Sequence, residues 1–558
     1  MAKDKSECPW WKKTVVYQLY PRSFYDSNGD GIGDLKGIIS KLDYIQNLGV
    51  ETIWFSPFFK SPQKDFGYDI SDFNGIDPQY GDMKLCNKLI DEVHKRDMKI
   101  VFDLVLNHTS DQHPWFIESR SSRDNPKRDW YIWRSGRGKK PPNNWRSMIG
   151  GSGWHYDEKT DQWYWAQFLP FQPDLNYRKP EVKDAMFDVI RFWLKNKVDG
   201  FRLDIINAIY EDPELRNNPL SIHYMPSDTN VKRFFRNSIY TLDHPDNFKF
   251  VKELRQVMDE FDNPQRFLVG EVVTDMETNR EYCGENADGL HSVFLFKSLR
   301  AKHEAKKLRE LIEIYERHLP EPYIPTWVFS NHDRIRRITR LKNDVNQAKL
   351  HAAFHLTVRG VPYIYYGEEI GMESPRLMNK ESLDEMALQY KWIPQFVFDF
   401  IRLVGVESFN RDEQRTPMQW NTGPNAGFCL ETVKPWLPIS PLYKERNVDV
   451  QEKDSGSLLN CYRRFLNARK ETPALNSGSI KILGLKDASR DVLSYVRAAN
   501  IGKKIQCAYV FLNFGYKTVS FENVAKDAKF LVSTSTKNKS VQDRNIVLNP
   551  QEGIVLVD

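Results

Sequence analysis

"KIVFDLVLN", residues 99–107, is an almost unbroken apolar run, with Asp103 inside it, Asn107 at its end and His108 next. A strand with one wet face alternates apolar and polar residues. A strand that is apolar at nearly every position is buried on both faces, as parallel strands flanked by helices are. Seven further runs have this character: "VVYQLY" (15–20), "TIWFSP" (52–57), "GFRLDII" (200–206), "RFLVGEVV" (266–273), "GLHSVFLF" (289–296), "TWVFSN" (326–331) and "VPYIYYG" (361–367). Between them lie segments of helical period. "LKGIISKLDYIQNLG" (35–49) ends at a glycine, and "MKLCNKLIDEVHKRDM" (83–98) and "VKDAMFDVIRFWLKNK" (182–197) read the same way. Eight strands alternating with helices predict an α/β fold, a (β/α)8 TIM barrel rather than a doubly wound sheet.

Two connections are too long to be simple loops. Residues 108–175, rich in Trp, Gly, Pro and Asn, read as a small inserted domain after the third strand, and 373–415 as a second excursion after the eighth. Beyond residue 475 the pattern becomes short alternating segments such as "VLSYVRA" and "IQCAYVFLNF", which predict an all-β sandwich. The expected organisation is therefore a barrel over 1–107 and 176–474, an insert over 108–175 and a C-terminal domain over 475–558.

Composition excludes several function classes. Of 558 residues, 40% are hydrophobic and 28% charged, as in a globular protein, and the net charge of +5 carries no basic tail. Nucleic-acid binding is not expected. No run approaches the length of a membrane span. The N-terminal "MAKDKSECPWWKK" lacks the apolar stretch of a signal peptide, and the six cysteines form no CxxC motif. A cytoplasmic monomer with reduced thiols is the expectation. Aromatics reach 13%, with 15 Trp, which suits either a carbohydrate cleft or a large core.

"DSNGDGIGD" (26–34) begins like a calcium loop. Asp26, Asn28 and Asp30 alternate, Gly31 sits at the sixth position, Ile32 offers a carbonyl and Asp34 a carboxylate. The twelfth position of an EF-hand needs a bidentate Glu, and here it is Gly37, so a full EF-hand is excluded. A cation site and a Gly-rich turn with solvated charges both remain open on this stretch alone.

Chemistry in a barrel sits at the C-terminal ends of the strands. The third strand brings Asp103, Asn107 and His108; the fourth Arg202 and Asp204; the fifth Glu271; the seventh Asn331, His332 and Asp333. A single acid at a strand end is ordinarily a helix cap. Several carboxylates with two imidazoles and a guanidinium at one barrel mouth are not explained as caps. Glycoside hydrolysis needs two carboxylates, one to attack or to activate water and one to protonate the leaving oxygen.

At these residues the chain resembles glycoside hydrolase family 13, the α-amylase family, in its α-glucosidase and oligo-1,6-glucosidase branch. "DLVLNHTSD" (103–111), "DGFRLDIIN" (199–207), "VGEVV" (269–273) and "SNHDR" (330–334) match the four signature regions in order. "QPDLN" (172–176), "GEEIGM" (367–372) and "RTPMQW" (415–420) match further. The resemblance implies Asp204 as nucleophile, Glu271 as general acid/base and Asp333 as transition-state stabiliser. It implies Arg202 as the cation beside the nucleophile, and His108 and His332 as ligands of sugar hydroxyls. Asp65 and Tyr68 of "KDFGYD", with Gln172, complete the substrate-binding set. Asp65 is expected to pair with Arg415 in preference to Arg411, closing a pocket for exo action on short oligosaccharides. The loop at 26–34 is expected to hold one structural calcium or magnesium ion through Asp26, Asn28, Asp30, the Ile32 carbonyl and Asp34.

Linkage is pulled both ways. The residue after the nucleophile is Ile205, β-branched like the Val that accompanies α-1,6 specificity in this branch, whereas "EDPELRNNPL" (211–220) resembles α-1,4-preferring enzymes. The segment 373–409 departs from the oligo-1,6-glucosidase pattern and is expected to shape the leaving-group side. Two alternatives share the scaffold: a sucrose isomerase or transglycosylase, with the same catalytic set, and a non-catalytic heavy chain of amino-acid transporters, which has a membrane span and generally lacks that set.

Overall fold

A computed structural model describes residues 8–224, 229–261, 263–404, 410–485, 489–536, 541–542 and 545–558. Residues 1–7 of the N-terminal stretch and 405–409 of the second excursion therefore lie outside the described residues. The eight expected strands are present: β1 (Val16–Leu19), β2 (Thr52–Phe55), β3 (Lys99–Leu104), β4 (Gly200–Leu203), β5 (Phe267–Gly270), β6 (Ser292–Val293), β7 (Thr326–Val328) and β8 (Val361–Tyr365). They share one sheet in the order β6-β5-β4-β3-β2-β1-β8-β7. Consecutive strands are neighbours from β1 to β6, β7 lies beside β8, and the last lies beside the first, which is the neighbour order of a (β/α)8 barrel. β1, β2, β4, β5, β7 and β8 are buried at every position, as their unbroken apolar sequences require.

The chain divides into two compact units, one of residues 1–53, 95–98 and 297–558, the other of residues 54–94 and 99–296. In the first, β1 pairs in parallel with β8 (Val16 opposite Tyr363), and β7 with β8 (Thr326 opposite Val361). The stretch 35–49, expected as one helix, forms two, Leu35–Ser40 and Leu42–Leu48. Lys41 between them leaves helical geometry at φ −110°, ψ 4°. Its ammonium lies 4.3 Å from the centre of the Tyr25 ring and 4.4 Å from that of Trp420, a cation–π site the helical period does not encode. Gly49 ends the second helix at φ 101°, the left-handed conformation that favours glycine. The C-terminal part is all antiparallel. Ser479–Ile482, Val492–Ile501, Lys504–Asn513, Gly553–Val557 and Lys529–Ser533 form a five-stranded sheet in that order, and Val519–Glu522, Asn545–Leu548 and Val541–Gln542 a second. Phe511, Phe521, Ile546, Leu548, Ile554 and Leu556 pack into one core drawn from both sheets, which is the expected sandwich.

In the second unit, β3, β4, β5 and β6 pair in parallel register. The helix Met83–His94 buries Cys86, Leu89, Ile90 and Val93, one stripe of a 3.6-residue period. The helix Pro180–Lys195 opens on a proline, whose missing N–H costs nothing at a helix start. Within 108–175, Trp133–Arg134, Gln162–Trp165 and Trp154–Asp157 form a small antiparallel sheet. Its core is Ile132, Trp145, Trp154 and Trp165. Much of the tryptophan excess of the insert therefore fills a core. The Asn143 amide oxygen accepts from the Trp154 indole at 2.7 Å and from the Trp145 backbone N–H at 3.1 Å. Trp154→Ala removes both an anchor ring and that bond, and is expected to cost about 3–5 kcal/mol locally. Limited proteolysis should then cut within 108–175 while the far-ultraviolet spectrum stays native; resistance equal to wild type would show that the insert does not depend on this ring.

Candidate active site

The residues expected to carry chemistry fall into two groups, each held within one unit. In the second unit they form a connected chain of bonds. Arg202, on β4, is almost fully buried, and Nη1 donates to Asp103 at 2.8 Å and to Asp204 at 2.7 Å. Its Nη2 donates to Glu271. Three carboxylates thus converge on one guanidinium, which also lies 5.2 Å from the centre of the Trp54 ring. Backbone bonds set this register. Asp204 N–H donates to Leu104 O, Glu271 N–H to Leu203 O, and Ile206 N–H to Glu271 O, so the ladder of parallel strands continues past the strand ends. Ile205 is left-handed at φ 34°, ψ 54°. A β-branched residue in that region is strained, by about 1–3 kcal/mol. The strain sits between the candidate nucleophile and the backbone bond to Glu271.

Asp103 extends the chain. Its other carboxylate oxygen accepts from the Trp54 indole at 3.2 Å and from the Tyr68 hydroxyl at 3.3 Å. Burial pushes the Asp103 carboxyl up to about 7, against the pull of Arg202. Tyr68 continues to the turn "KDFGYD": its N–H donates to Asp65 O, and its carbonyl faces His108 Nε2 at 3.1 Å. Gln172 Nε2 donates to the Asp65 carboxylate at 3.2 Å. The turn itself is held by Asp69, which accepts from Ser61 Oγ and from the backbone N–H groups of Lys64 and Asp65. Gly67 is obligatory there, at φ 106° with a Cβ position only 2.8 Å from Pro57 O. Asp65, Tyr68, His108, Gln172, Arg202, Asp204 and Glu271 are therefore joined within this unit. His108 departs in one respect: Nδ1 lies 3.2 Å from Asn107 Nδ2, so both ring nitrogens have protein partners in this arrangement.

In the first unit, His332 Nδ1 lies 2.9 Å from Gln18 Nε2, and Nε2 lies 3.2 Å from Asp333 Oδ2. An amide N–H on Nδ1 leaves the proton on Nε2, pointing at the carboxylate. Arg415 donates to Asp333 at 2.9 Å and to the His332 carbonyl at 3.0 Å. Arg411 lies 3.5 Å from Asp333 and makes its stronger bonds to Asp384, at 2.6 and 2.9 Å. Burial alone would raise Asp333, but His332, Arg411, Arg415 and Arg334 outweigh it and hold the carboxyl far below the usual range. Asp384 and Gln18 carry this geometry and were not singled out in the sequence. Gln18 lies in the first strand run, "VVYQLY" (15–20), where it stood as one more strand residue, and both act through partners distant in the chain.

In the loop at 26–34, Asp26 accepts three backbone N–H groups, from Asn28, Gly29 and Gly31. Asp34 accepts from Ser27 and caps the helix at Gly37 N. Asp30 accepts from Ile32 N, and Asn28 Oδ1 from Asp30 N. The loop is braced on 428–436 by Asp26 N–H to Phe428 O and Trp436 N–H to Gly31 O. Its side chains thus bond first to the loop's own backbone. The donors are all oxygens with lone pairs to spare, so the set fits a hard cation in kind.

Two carboxylates held at the ends of adjacent parallel strands are the pair of groups that glycoside hydrolysis requires. The comparisons give the family. The family model "Alpha amylase, catalytic domain" matches residues 18–478. A probable alpha-glucosidase of Rhizobium meliloti is 41% identical, covering 90% of this chain and 89% of its own. An oligo-1,6-glucosidase of Parageobacillus thermoglucosidasius is 38% identical over 98% of both. Among solved structures, a trehalulose synthase from Pseudomonas mesoacidophila is 31% identical with a TM-score of 0.87, covering 99% of this chain and 100% of its own. An alpha-glucosyl transfer enzyme is 36% identical with a TM-score of 0.86 over the same shares. The chain belongs to the α-amylase family of glycoside hydrolases.

His108 ties stability to pH. Burial lowers its pKa to about 4. The unfolded chain takes this proton below about 6.5, and the folded chain only near 4. The stability from the neutral ring is complete above pH 6.5 and is lost as pH falls toward 4, by at most ~3 kcal/mol. His108→Gln is expected to flatten the fall of melting temperature over that window; an unchanged slope would contradict it.

Proposed function

We propose that the chain is a retaining, exo-acting α-glucosidase that releases glucose from the non-reducing end of short α-linked oligosaccharides. The observation that carries the reading is the pair Asp204 and Glu271 on the two Nη atoms of one guanidinium. Carboxylates that share one cation are close, as in retaining enzymes, where they stand about 5–5.5 Å apart, against the wider gap that admits a water in inverting ones. Asp204 attacks the anomeric carbon as the glycosidic bond breaks, and Glu271 gives its proton to the leaving oxygen. A β-glucosyl ester forms on Asp204. Glu271 then takes a proton from water, which displaces the ester and restores the α configuration. Family membership supports Asp333 as the group that holds the 2- and 3-hydroxyls. The buried Asp65, tied to Gln172, supports a closed wall for the terminal sugar.

A second reading keeps the same groups. The similarity to a trehalulose synthase and an alpha-glucosyl transfer enzyme favours transfer of the glucosyl unit to an acceptor other than water. Incubation with maltotriose, isomaltotriose and sucrose separates the two and reads the linkage. Hydrolysis gives free glucose as the sole early product from either trisaccharide, as the α anomer by NMR. Isomerised disaccharide from sucrose would favour the second reading, and early β-glucose or early maltose from a polymer would sink the first. Asp204→Ala should lose roughly 10³-fold or more in kcat in both cases, because the covalent route disappears.

The loop of Asp26, Asn28, Asp30, Ile32 and Asp34 is proposed to hold calcium or magnesium as a structural ion. An ion that binds only the folded state stabilises it by linkage. A chelator should lower the melting temperature of the wild type, and Asp30→Ala should lower it with added calcium and remove the chelator effect. Equal melting curves for both proteins with and without calcium would make the loop a plain turn.

A further inference from the structure

The helix Val345–Thr357 is buried along much of its length, and two of its residues one turn apart are His351 and His355. Glu368, just after β8, meets them. Among the described residues, these three form a group whose donor atoms all lie within 4.8 Å of one another, in the interior of the first unit. Both ring nitrogens of His351, Nδ1 of His355 and Oε2 of Glu368 are buried without a hydrogen-bond partner. Four orphaned polar atoms in one place are a large desolvation cost. Apolar residues at 351 and 355 would have filled the same space without it.

The remaining atoms are arranged as supports. His355 Nε2 lies 2.9 Å from the Trp327 carbonyl, which fixes the proton there and leaves Nδ1 as a lone pair facing the group. Glu368 Oε1 accepts from the Tyr462 hydroxyl at 3.2 Å, which leaves Oε2 turned to the imidazoles. Burial keeps both rings neutral, the form that ligates, with His355 down to about 3. It pushes Glu368 up to about 7, a proton that a cation would displace. Two guanidinium groups are near and oppose a dication. Arg337 donates to the Ala301 carbonyl, and Arg340 to the carbonyls of Ile335, Leu299 and Phe329. Arg340 is thus engaged by backbone through all three nitrogens, Arg337 keeps Nε and Nη2 buried without a hydrogen-bond partner, and the Glu368 charge offsets part of the field of both.

We propose that His351, His355 and Glu368 form a structural site for a divalent transition metal of zinc type, separate from the catalytic residues and from the loop at 26–34. Two imidazole nitrogens and a carboxylate oxygen are a donor set that zinc accepts. The donor atoms lie within 4.8 Å of one another, against the roughly 3.3 Å that separates N and O ligands around a tetrahedral zinc with ~2.0–2.1 Å bonds. Where closure draws a ligand in, His351, with no bond to break at either nitrogen, is the one that moves.

The test uses the whole chain, stripped with a chelator and dialysed against zinc or cobalt alone. Wild type is expected to retain one zinc per chain, to show a cobalt d–d absorption and to melt at higher temperature with zinc. Asp30→Ala should behave as wild type in all three, since the loop is a different site. His351→Leu should retain less than a tenth of the zinc and lose the cobalt signal and the zinc-dependent shift. Glu368→Gln is the second variant if His351→Leu fails to fold, and the same losses are expected. Wild type without bound zinc, or a folded variant that binds zinc as wild type does, would overturn the proposal.

Discussion

Arg202 is the interaction on which the second unit's chemistry depends. Three carboxyl groups at the ends of β3, β4 and β5 crowd one another in the interior, and the one cation among them offsets the charge they carry. Burial works against the guanidinium charge, but Asp103, Glu271, Tyr68 and Asp204 outweigh it and hold the group firmly protonated. The planar fork matters as much as the charge. It presents separate N–H groups to Asp204 and to Glu271, so one side chain sets the spacing of both. A lysine would supply the charge without that geometry. Breaking such a buried cluster from one side leaves the others unpaired, which costs more than the pairing gains.

Environment divides the carboxylates by task. Burial pushes Asp103 up to about 7, with one guanidinium opposing the shift and the Asp204 carboxylate adding to it. Asp333 has an imidazole and several guanidinium groups, and is held ionised. Two aspartates of equal intrinsic acidity thus take opposite roles. One is a buried acceptor that ties Trp54 and Tyr68 to the arginine, and the other a fixed negative charge. The strained Ile205 belongs to the same economy of position. The backbone turns sharply after Asp204 because the carboxylate must face Arg202 while Ile206 N–H reaches the Glu271 carbonyl.

The barrel was legible because burial on both faces leaves a local mark, an apolar run with no alternation, repeated eight times. The candidate site was legible because its acids stand at the ends of those runs in family motifs. The metal-like loop was legible as spacing, although the structure spends its carboxylates first on the loop's own amides. The break at Lys41 was not legible, since a lysine fits a helical period and its contacts with the rings of Tyr25 and Trp420 are made only in the fold. Asp103 was visible as one more strand-end acid, without a role.

What the sequence determined by itself was the order of strands and helices, the α-amylase family pattern and the identity of the charged residues. Periodicity and motif spacing are properties of neighbours along the chain. What only the tertiary structure decided was who partners whom. The three acids on Arg202, Gln172 on Asp65, Gln18 on His332, and the meeting of His351 and His355 with Glu368 join residues that folding alone brings within bonding reach. The field at each carboxyl follows from those meetings, because electrostatic coupling depends on distance through space and on burial, and neither is written in local order.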